Sequence, residues 1–447
     1  MNKPEISAPA GNWESLMAAI KAGADSVYFG IGELNMRARS SLNFTLRDLV
    51  KIERICRKHR VRSYLALNAI LYDSDLKQMK RIVDCACRSG IDSIIATDPA
   101  VIRYASSAGV QEHISTQANI TNLETVKYWS RFAGVMILAR ELDLGQIAAI
   151  SRAVKRLKIV GPDGLPVRLE AFVHGAMCMA VAGQCSLSLD NFNSSANRGA
   201  CYQLCRRSYR ITDTEGEVEL LVEDGFVLSP KDLCTISFLD KLLKAGISVL
   251  KIEGRGRSPE YVSTVVSCYR EAVEAIGRGT YTTERITGWT ERLKTVYNRG
   301  FWEGWYLGRK TGEWTRDSGS VATQSKEYVG KVLNYYTRQK VALIRIDSGA
   351  LAPGDKIYIQ GPTTGVVEHT IPGIQVEGVS VSGTEKGEVC TIPVDVFVRR
   401  ADKIYRILPG YNSVNPDVAH SLPLSPCGEI CIRIPVSVMV PISRKHT

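Results

Sequence analysis

Long apolar runs are missing from this chain. Its longest uncharged stretch, residues 171–189, is broken by His174, Gly175, Gly183, Gln184, Ser186 and Ser188, and makes a poor membrane span. The opening residues MNKPEISAPAG show no charged head followed by an apolar run, so they read as a strand and turn rather than a secretory signal. No membrane role and a cytoplasmic location are therefore expected. The first turn, APAGNWES, carries no G-x-G-x-x-G, which counts against dinucleotide binding. None of the twelve cysteines forms a C-x2-C knuckle, the usual mark of structural zinc. Structural disulfides are rare in the cytoplasm, so a cysteine cluster there points to metal or redox chemistry.

What is present is a soluble, basic composition. The chain has 447 residues, 45% of them apolar and 23% charged, which is too long for one ordinary core. A net charge of +11 suits an anionic partner, with RNA a natural candidate.

The first part alternates helix and strand. Ala22-Gly23-Ala24-Asp25-Ser26-Val27-Tyr28-Phe29 recurs as Ser89-Gly90-Ile91-Asp92-Ser93-Ile94-Ile95 and as Ala245-Gly246-Ile247-Ser248-Val249-Leu250, with a looser copy at Ala133-Gly134-Val135-Met136-Ile137. In each, glycine closes a helix and an apolar strand follows at once, the repeat of a parallel α/β sheet. Strands are expected at 5–8, 26–29, 62–67, 93–96, 113–115, 135–138, 168–173 and 249–252. Eight such strands predict a TIM-like (β/α)8 barrel over residues 1–317, an open doubly wound sheet being the alternative. Barrel sites lie just past the strand ends. Asn68, Asp98, Thr116, Gln117, Asn119, Arg140 and Glu141 follow strand ends, Glu170 and His174 flank AFV, and Lys251, Glu253 and Arg255 close VLKIEGR.

About seventy residues separate the seventh and eighth strands, well beyond an ordinary connection. This cysteine-rich insertion holds Cys178, Cys185, Cys201 and Cys205 in a C-x6-C-x15-C-x3-C pattern, with Cys234 following in SPKDLC. It also contains a hairpin, YRITDTEGEVELL. Four thiolates hold a cubane iron–sulfur cluster, and five cysteines compete for four places. Cys178, Cys185 and Cys201 belong to either set. Cys234 is preferred to Cys205 because it would tie the far segment back to the loop. A cysteine nucleophile with His174 as base would instead make a peptidase, although neighbours in sequence are no evidence for a dyad. Cys56, Cys85, Cys87, Cys268 and Cys390 lie in helix- or strand-like runs and are expected in the core. From about residue 318 to 408, short β-like runs separated by Gly and Pro predict a small C-terminal β-barrel; residues 409–447 form a tail of unassigned structure.

EAFVHGAMCMAVAGQCSLS, PEISAPAGNWESLMAAIKAGADSVYFG, STQANITN, LARELDL, NRGACYQLCRR, SPKDLC and KIEGRGRS together resemble segments of the collagenase-like peptidase family (peptidase family U-32) over roughly residues 3 to 310. The family's label is that of a peptidase of unknown catalytic type. Its better-understood members are linked to hydroxylation without molecular oxygen, of tRNA uridine, of 23S rRNA cytidine and of ubiquinone. The length and the attached β-barrel are most similar to the prephenate-dependent tRNA uridine group.

The resemblance implies a 4Fe-4S cluster on Cys178, Cys185, Cys201 and Cys234, with Cys205 as the alternative. It implies an RNA partner, tRNA first. It also implies a small dicarboxylate oxygen donor such as prephenate and, from the ubiquinone pair, a related subunit. On that footing Glu170, His174, Lys251 and Glu253 are the expected catalytic residues. Gln117, Asn119, Arg140, Arg206 and Arg255 are the expected substrate-binding residues. Arg140, Lys251 and Arg255 would pair with the donor's carboxylates, and Arg206, Arg207 and Arg210 would hold phosphate. A peptidase, a 23S rRNA hydroxylation protein and a non-catalytic subunit remain as alternatives.

Overall fold

The structure is a computed structural model describing residues 3–209, 211–212, 219–220, 226–317 and 319–410. Arg210, Cys427, Cys431 and the expected tail beyond residue 410 lie outside the described residues. All eight expected strands form: β1 (Glu5–Pro9), β2 (Ser26–Gly30), β3 (Arg62–Leu67), β4 (Ser93–Ala96), β5 (Gln111–Ile114), β6 (Val135–Ile137), β7 (Arg168–Gly175) and an eighth, Val249–Ile252. Each pairs in parallel with the next, and Val249–Ile252 pairs with both β7 and β1. That double pairing closes a (β/α)8 barrel and excludes the open sheet.

The strand sequences are apolar on both faces because both faces are covered. Phe29, Leu65, Ile94, Ile114 and Leu250 have no exposed surface. Helices α1 (Trp13–Lys21), α2 (Leu49–His59), α3 (Leu76–Ser89), α4 (Pro99–Ser107), α5 (Leu123–Trp129) and α6 (Leu144–Arg156) run between the strands. Helix α1 starts where the Ser15 amide donates to Asn12 Oδ1 at 2.7 Å. Helix α3 stops at Gly90, whose left-handed φ of 77° disfavours a side chain, and β4 begins three residues later. These local stops give the repeat its period.

Between β7 and Val249–Ile252 the chain leaves the barrel. Residues 176–209 form short turns and one small helix, Leu187–Phe192. Ile211–Thr212 then pairs antiparallel with Glu219–Leu220, the pairing expected of the hairpin. Asp232–Cys234 returns antiparallel to the end of β7, placing Cys234 opposite His174. The long helix Pro259–Arg278 packs beside α1 on the barrel exterior.

After the barrel comes an antiparallel sheet of eight strands, from Gln324–Tyr336 to Lys403–Pro409. It has its own core, with Val329, Val332, Ile344, Ile357, Ile359, Ile392 and Ile404 fully buried. It docks on α1 and the Pro259–Arg278 helix. Lys21 Nζ donates to Thr364 O at 2.7 Å, and Glu260 accepts from Lys326 Nζ at 2.7 Å and Gln360 Nε2 at 2.9 Å. Cys56, Cys268 and Cys390 are buried as expected. Cys85 and Cys87 are not core residues: on α3 they are half-buried and exposed, because the helix turns Met79, Ile82, Val83 and Ala86 inward instead.

The ring closes with no room to spare where the first turn meets the last strand. A Cβ built on Gly11 would stand 1.9 Å from the carbonyl oxygen of Arg255. Gly277, near the end of an exterior helix, would meet nothing within 4 Å. We expect Gly11→Ala to destabilise the chain by about 1–3 kcal/mol through overpacking. Gly277→Ala should stabilise it by roughly 0.4–1 kcal/mol through the unfolded state. Urea denaturation of both variants checks the pair.

Candidate active site at the barrel mouth

Charged side chains are stacked in layers inside the ring. At the strand starts, Glu5 accepts from Arg62, from Arg168 and from the Tyr64 hydroxyl at 2.6 Å. Burial alone would raise the Glu5 carboxyl, but Arg168 and Arg62 hold it below its usual range. One layer higher, Lys251 Nζ lies 2.7 Å from Glu170 Oε1, and His113 Nδ1 lies 3.3 Å from Glu170 Oε2. Glu170 has no exposed surface and Lys251 only 3%. Burial pushes the Glu170 carboxyl up, yet Lys251 and then His113 outweigh it and bring it down to about 2. The Tyr28 ring covers Lys251, its centroid 4.1 Å from Nζ.

The mouth itself is cationic. Arg37 grips Glu253 through Nη2 at 2.6 Å and Nε at 3.0 Å. Arg140 lies flat on Phe172, 3.8 Å from the ring centroid, and donates to Ala176 O at 2.9 Å. Arg255, 5% exposed, donates to Asn35 Oδ1 at 3.0 Å and has no carboxylate partner among the described residues. Burial lowers its guanidinium to about 10, with Tyr28 pulling the other way. Burial would raise the Glu253 carboxyl, but Arg37, Arg140 and Arg257 together hold it low. One carboxylate thus sits in the field of several guanidiniums. A buried cation without a counter-charge is costly, and an anionic ligand would relieve it.

Of the expected catalytic residues, Glu170 and Lys251 meet below the mouth and Glu253 lies at its edge. His174 does not join them. It is enclosed by the rings of Tyr261, Tyr269 and Phe301, with centroids 6.0, 5.6 and 5.5 Å away, and burial lowers its imidazole to about 3. Its position after the strand suggested a site residue, but the register shift between Lys251 and Ile252 accompanies a different environment.

Of the expected binding residues, Arg140 and Arg255 reach the mouth. Gln117 accepts from Asn68 Nδ2 at 2.7 Å beside it. Asn119 is exposed and ends a short turn in the left-handed conformation. Asp98, also placed by the strand-end rule, caps α4 through the Ala100 amide. Arg206 is engaged as a staple within the protein. It donates to Ser229 Oγ at 3.0 Å, Pro230 O at 2.5 Å and Met177 O at 2.5 Å, and so locks the cysteine segment to the returning strand.

The thiols divide between two surroundings. Cys205 is pushed up to about 11 by burial, opposed by Arg206, with Cys178, Cys201 and Cys185 adding to the rise. Cys185 in turn is raised by burial and by Cys178 and Cys201. These four share one electrostatic neighbourhood. Cys234 is buried and is pushed up to about 11 by burial, opposed by hydrogen bonding with the Ile236 backbone and with Tyr269; none of those four thiols enters its field. The strand pairing that brings Cys234 back to β7 also turns it into the protein. Among the described residues, no three His, Cys, Asp or Glu side chains converge on a single metal ion.

Arg37, Arg257 and His113 escaped the sequence reading. Arg37 lies several residues past β2, beyond the reach of a strand-end rule, and His113 is inside its strand rather than after it. Arg37 stood beside Arg39 in a short basic loop, the one signal available.

A closed ring of eight parallel strands with helices between them and a basic mouth defines a TIM-like barrel. The chain belongs to peptidase family U32, whose profile matches residues 11–316. It is 53% identical over 406 residues to a collagenase of Porphyromonas gingivalis, covering 91% of this chain and 98% of that one. It is 30% identical over 380 residues to the tRNA hydroxylation protein P1 of Bacillus subtilis, covering 83% and 87%. To the 23S rRNA 5-hydroxycytidine C2501 synthase of Escherichia coli it is 33% identical over 273 residues, covering 61% of this chain and 39% of that one. No helix among the described residues is long and apolar enough to cross a membrane.

The buried pair makes a pH and mutational prediction. Glu170 titrates in the fold near 2, below its free value of 4.5. Its stabilisation is therefore complete above the free value and fades as the pH falls from there toward about 2. Lys251→Met strands the carboxylate and should cost about 3–5 kcal/mol at neutral pH. Adding Glu170→Leu should recover most of that loss. Denaturation midpoints of the single and double variants, taken at neutral pH, check both expectations.

Proposed function

We propose that this chain hydroxylates an RNA base without molecular oxygen, tRNA uridine being the leading substrate. A small dicarboxylate such as prephenate would supply the oxygen, its C–OH becoming C–H as the base C–H becomes C–OH, so that the two electrons the base loses reduce the donor. The observation that carries the reading is the surplus of positive charge around Glu253, with Cys178 close enough to act on Arg37. Arg140 and Arg255 would bind the donor's carboxylates. Arg37, already paired with Glu253, would keep that carboxylate ionised and in place. Lys251, held by Glu170 and capped by Tyr28, would form a dry floor that carries a proton at Nζ. The relatives named for tRNA and rRNA hydroxylation support the choice of RNA.

The donor set suits a 4Fe-4S cluster on Cys178, Cys185, Cys201 and Cys205. A cubane holds its thiolates apart around a body several atoms wide, so they need not converge as ligands of one ion do. Burial favours the protonated thiol at Cys185 and Cys205, and a cationic cluster core bound there would reverse that preference. Bound there, the cluster would supply electron transfer to the mouth. Cys234, buried beside Tyr269, would stay a packed thiol.

Peptide hydrolysis is a second reading, favoured by the name of the 53%-identical relative. His174, the histidine nearest the cysteine segment in sequence, is walled off by aromatic rings, which weighs against a cysteine–histidine pair.

Anaerobic purification with iron and sulfide analysis tests the cluster. Cys205→Ser should lose bound iron and Cys234→Ser should keep it; the reverse result would move the fourth ligand to Cys234. Incubation with unmodified tRNA and prephenate should add the mass of one oxygen to a uridine. Arg255→Met should lower that yield by at least about tenfold. Cleavage of gelatin with full activity after iron removal, and no RNA product, would establish the peptidase reading instead.

A further inference from the structure

Around the mouth, three large rings stand open to solvent: Tyr72 is 59% exposed, Tyr202 48% and Phe192 42%. Two of them are backed by arginine. The Arg198 guanidinium lies 4.3 Å from the Tyr72 centroid and is fixed by Asp75 Oδ2 at 2.6 Å and Ile70 O at 2.9 Å. The Arg39 guanidinium lies 5.5 Å from the Tyr202 centroid and donates to its hydroxyl at 2.7 Å. Phe192 adjoins Tyr202, with centroids 5.0 Å apart. The two halves are one surface, because the Arg39 amide donates to the carbonyl of Gly199, the residue after Arg198. Arg39 also lines a cleft with Arg255 and Arg257, so this rim runs into the cationic mouth.

Such rings are held in place and yet leave surface bare, an arrangement that costs hydration unless a flat partner covers it. Unpaired bases are flat, stack on aromatic faces without regard to sequence, and bring phosphates that suit the neighbouring guanidiniums. We propose that Tyr72, Tyr202 and Phe192, backed by Arg198 and Arg39, form a stacking platform for unpaired RNA bases flanking the base that enters the mouth. This rests on the RNA reading above and adds the residues that select single-stranded over paired RNA. The Arg-rich rim and the net charge of +11 favour a polyanion over a peptide as occupant.

Fluorescence polarisation of a labelled single-stranded oligouridine, with the full chain purified anaerobically, tests the platform. Tyr72→Ala and Tyr202→Ala should each weaken binding about 5- to 150-fold, the range of one lost base stack. Tyr72→Phe and Tyr202→Phe should retain affinity, since the ring face survives. Tyr128 provides a control with the same chemistry elsewhere: it is 51% exposed on α5, with Arg131 4.6 Å from its centroid. Tyr128→Ala should leave binding unchanged. Unaltered thermal midpoints would show that the rim variants fold.

Unchanged affinity in both alanine variants would overturn the platform, as would an equal loss in Tyr128→Ala or equally tight binding of duplex RNA. So would rim variants that lose affinity for gelatin while the unaltered chain ignores oligouridine. Weakened RNA binding in the rim variants, with no hydroxylation by the unaltered chain, would uphold the platform and remove only the proposed reaction. Lost hydroxylation at full affinity would do the opposite.

Discussion

The structure depends on one double pairing. Val249–Ile252 is bonded in parallel to β7 on one side and to β1 on the other, and this closes the ring. Closure brings strand ends from Tyr28 to Arg255 round a single opening, and it buries Lys251 against Glu170, residues 81 positions apart. Without it, the interior charges of Glu5, Glu170 and Lys251 would each lose the partner that makes burial tolerable. The tight approach of Gly11 to the Arg255 carbonyl is the steric mark of the same closure.

The charge layers follow from that geometry. Arg62 and Arg168 satisfy Glu5 at one end of the barrel, Lys251 pairs with Glu170 in the middle with His113 3.3 Å from its other oxygen, and at the other end cations outnumber carboxylates. The interior is neutralised except where a ligand has access. A small acid at the mouth and a polyanion along the rim answer the same excess of charge. The Arg206 staple serves a different purpose, holding the cysteine segment against Ser229–Pro230 through carbonyls.

Much of the fold was legible in the sequence because its signals are local. Gly90 and Gly246 end helices in conformations that side chains avoid, and the apolar runs after them have nowhere to go but a covered strand. The candidate site was legible only in outline. Arg140, Glu253 and Arg255 were found because barrel strands deliver the residues after them to the opening, whereas Glu170 and Lys251 lie inside their strands and meet below it. His174 obeyed the same rule and still ended among Tyr261, Tyr269 and Phe301, since a register shift is invisible in the one-dimensional pattern. Asp98 obeyed it too and became a helix cap.

The sequence by itself determined the αβ repeat, the number of barrel strands, the basic character and the presence of a cysteine-dense segment. These rest on residue type and on spacing within a few positions. The fold decided that Cys234 returns opposite His174 on β7, that Arg206 binds carbonyls, and that Arg37 rather than a closer neighbour meets Glu253. Each of those outcomes is a meeting between segments far apart in the chain, and is set by strand register and burial, which composition does not encode.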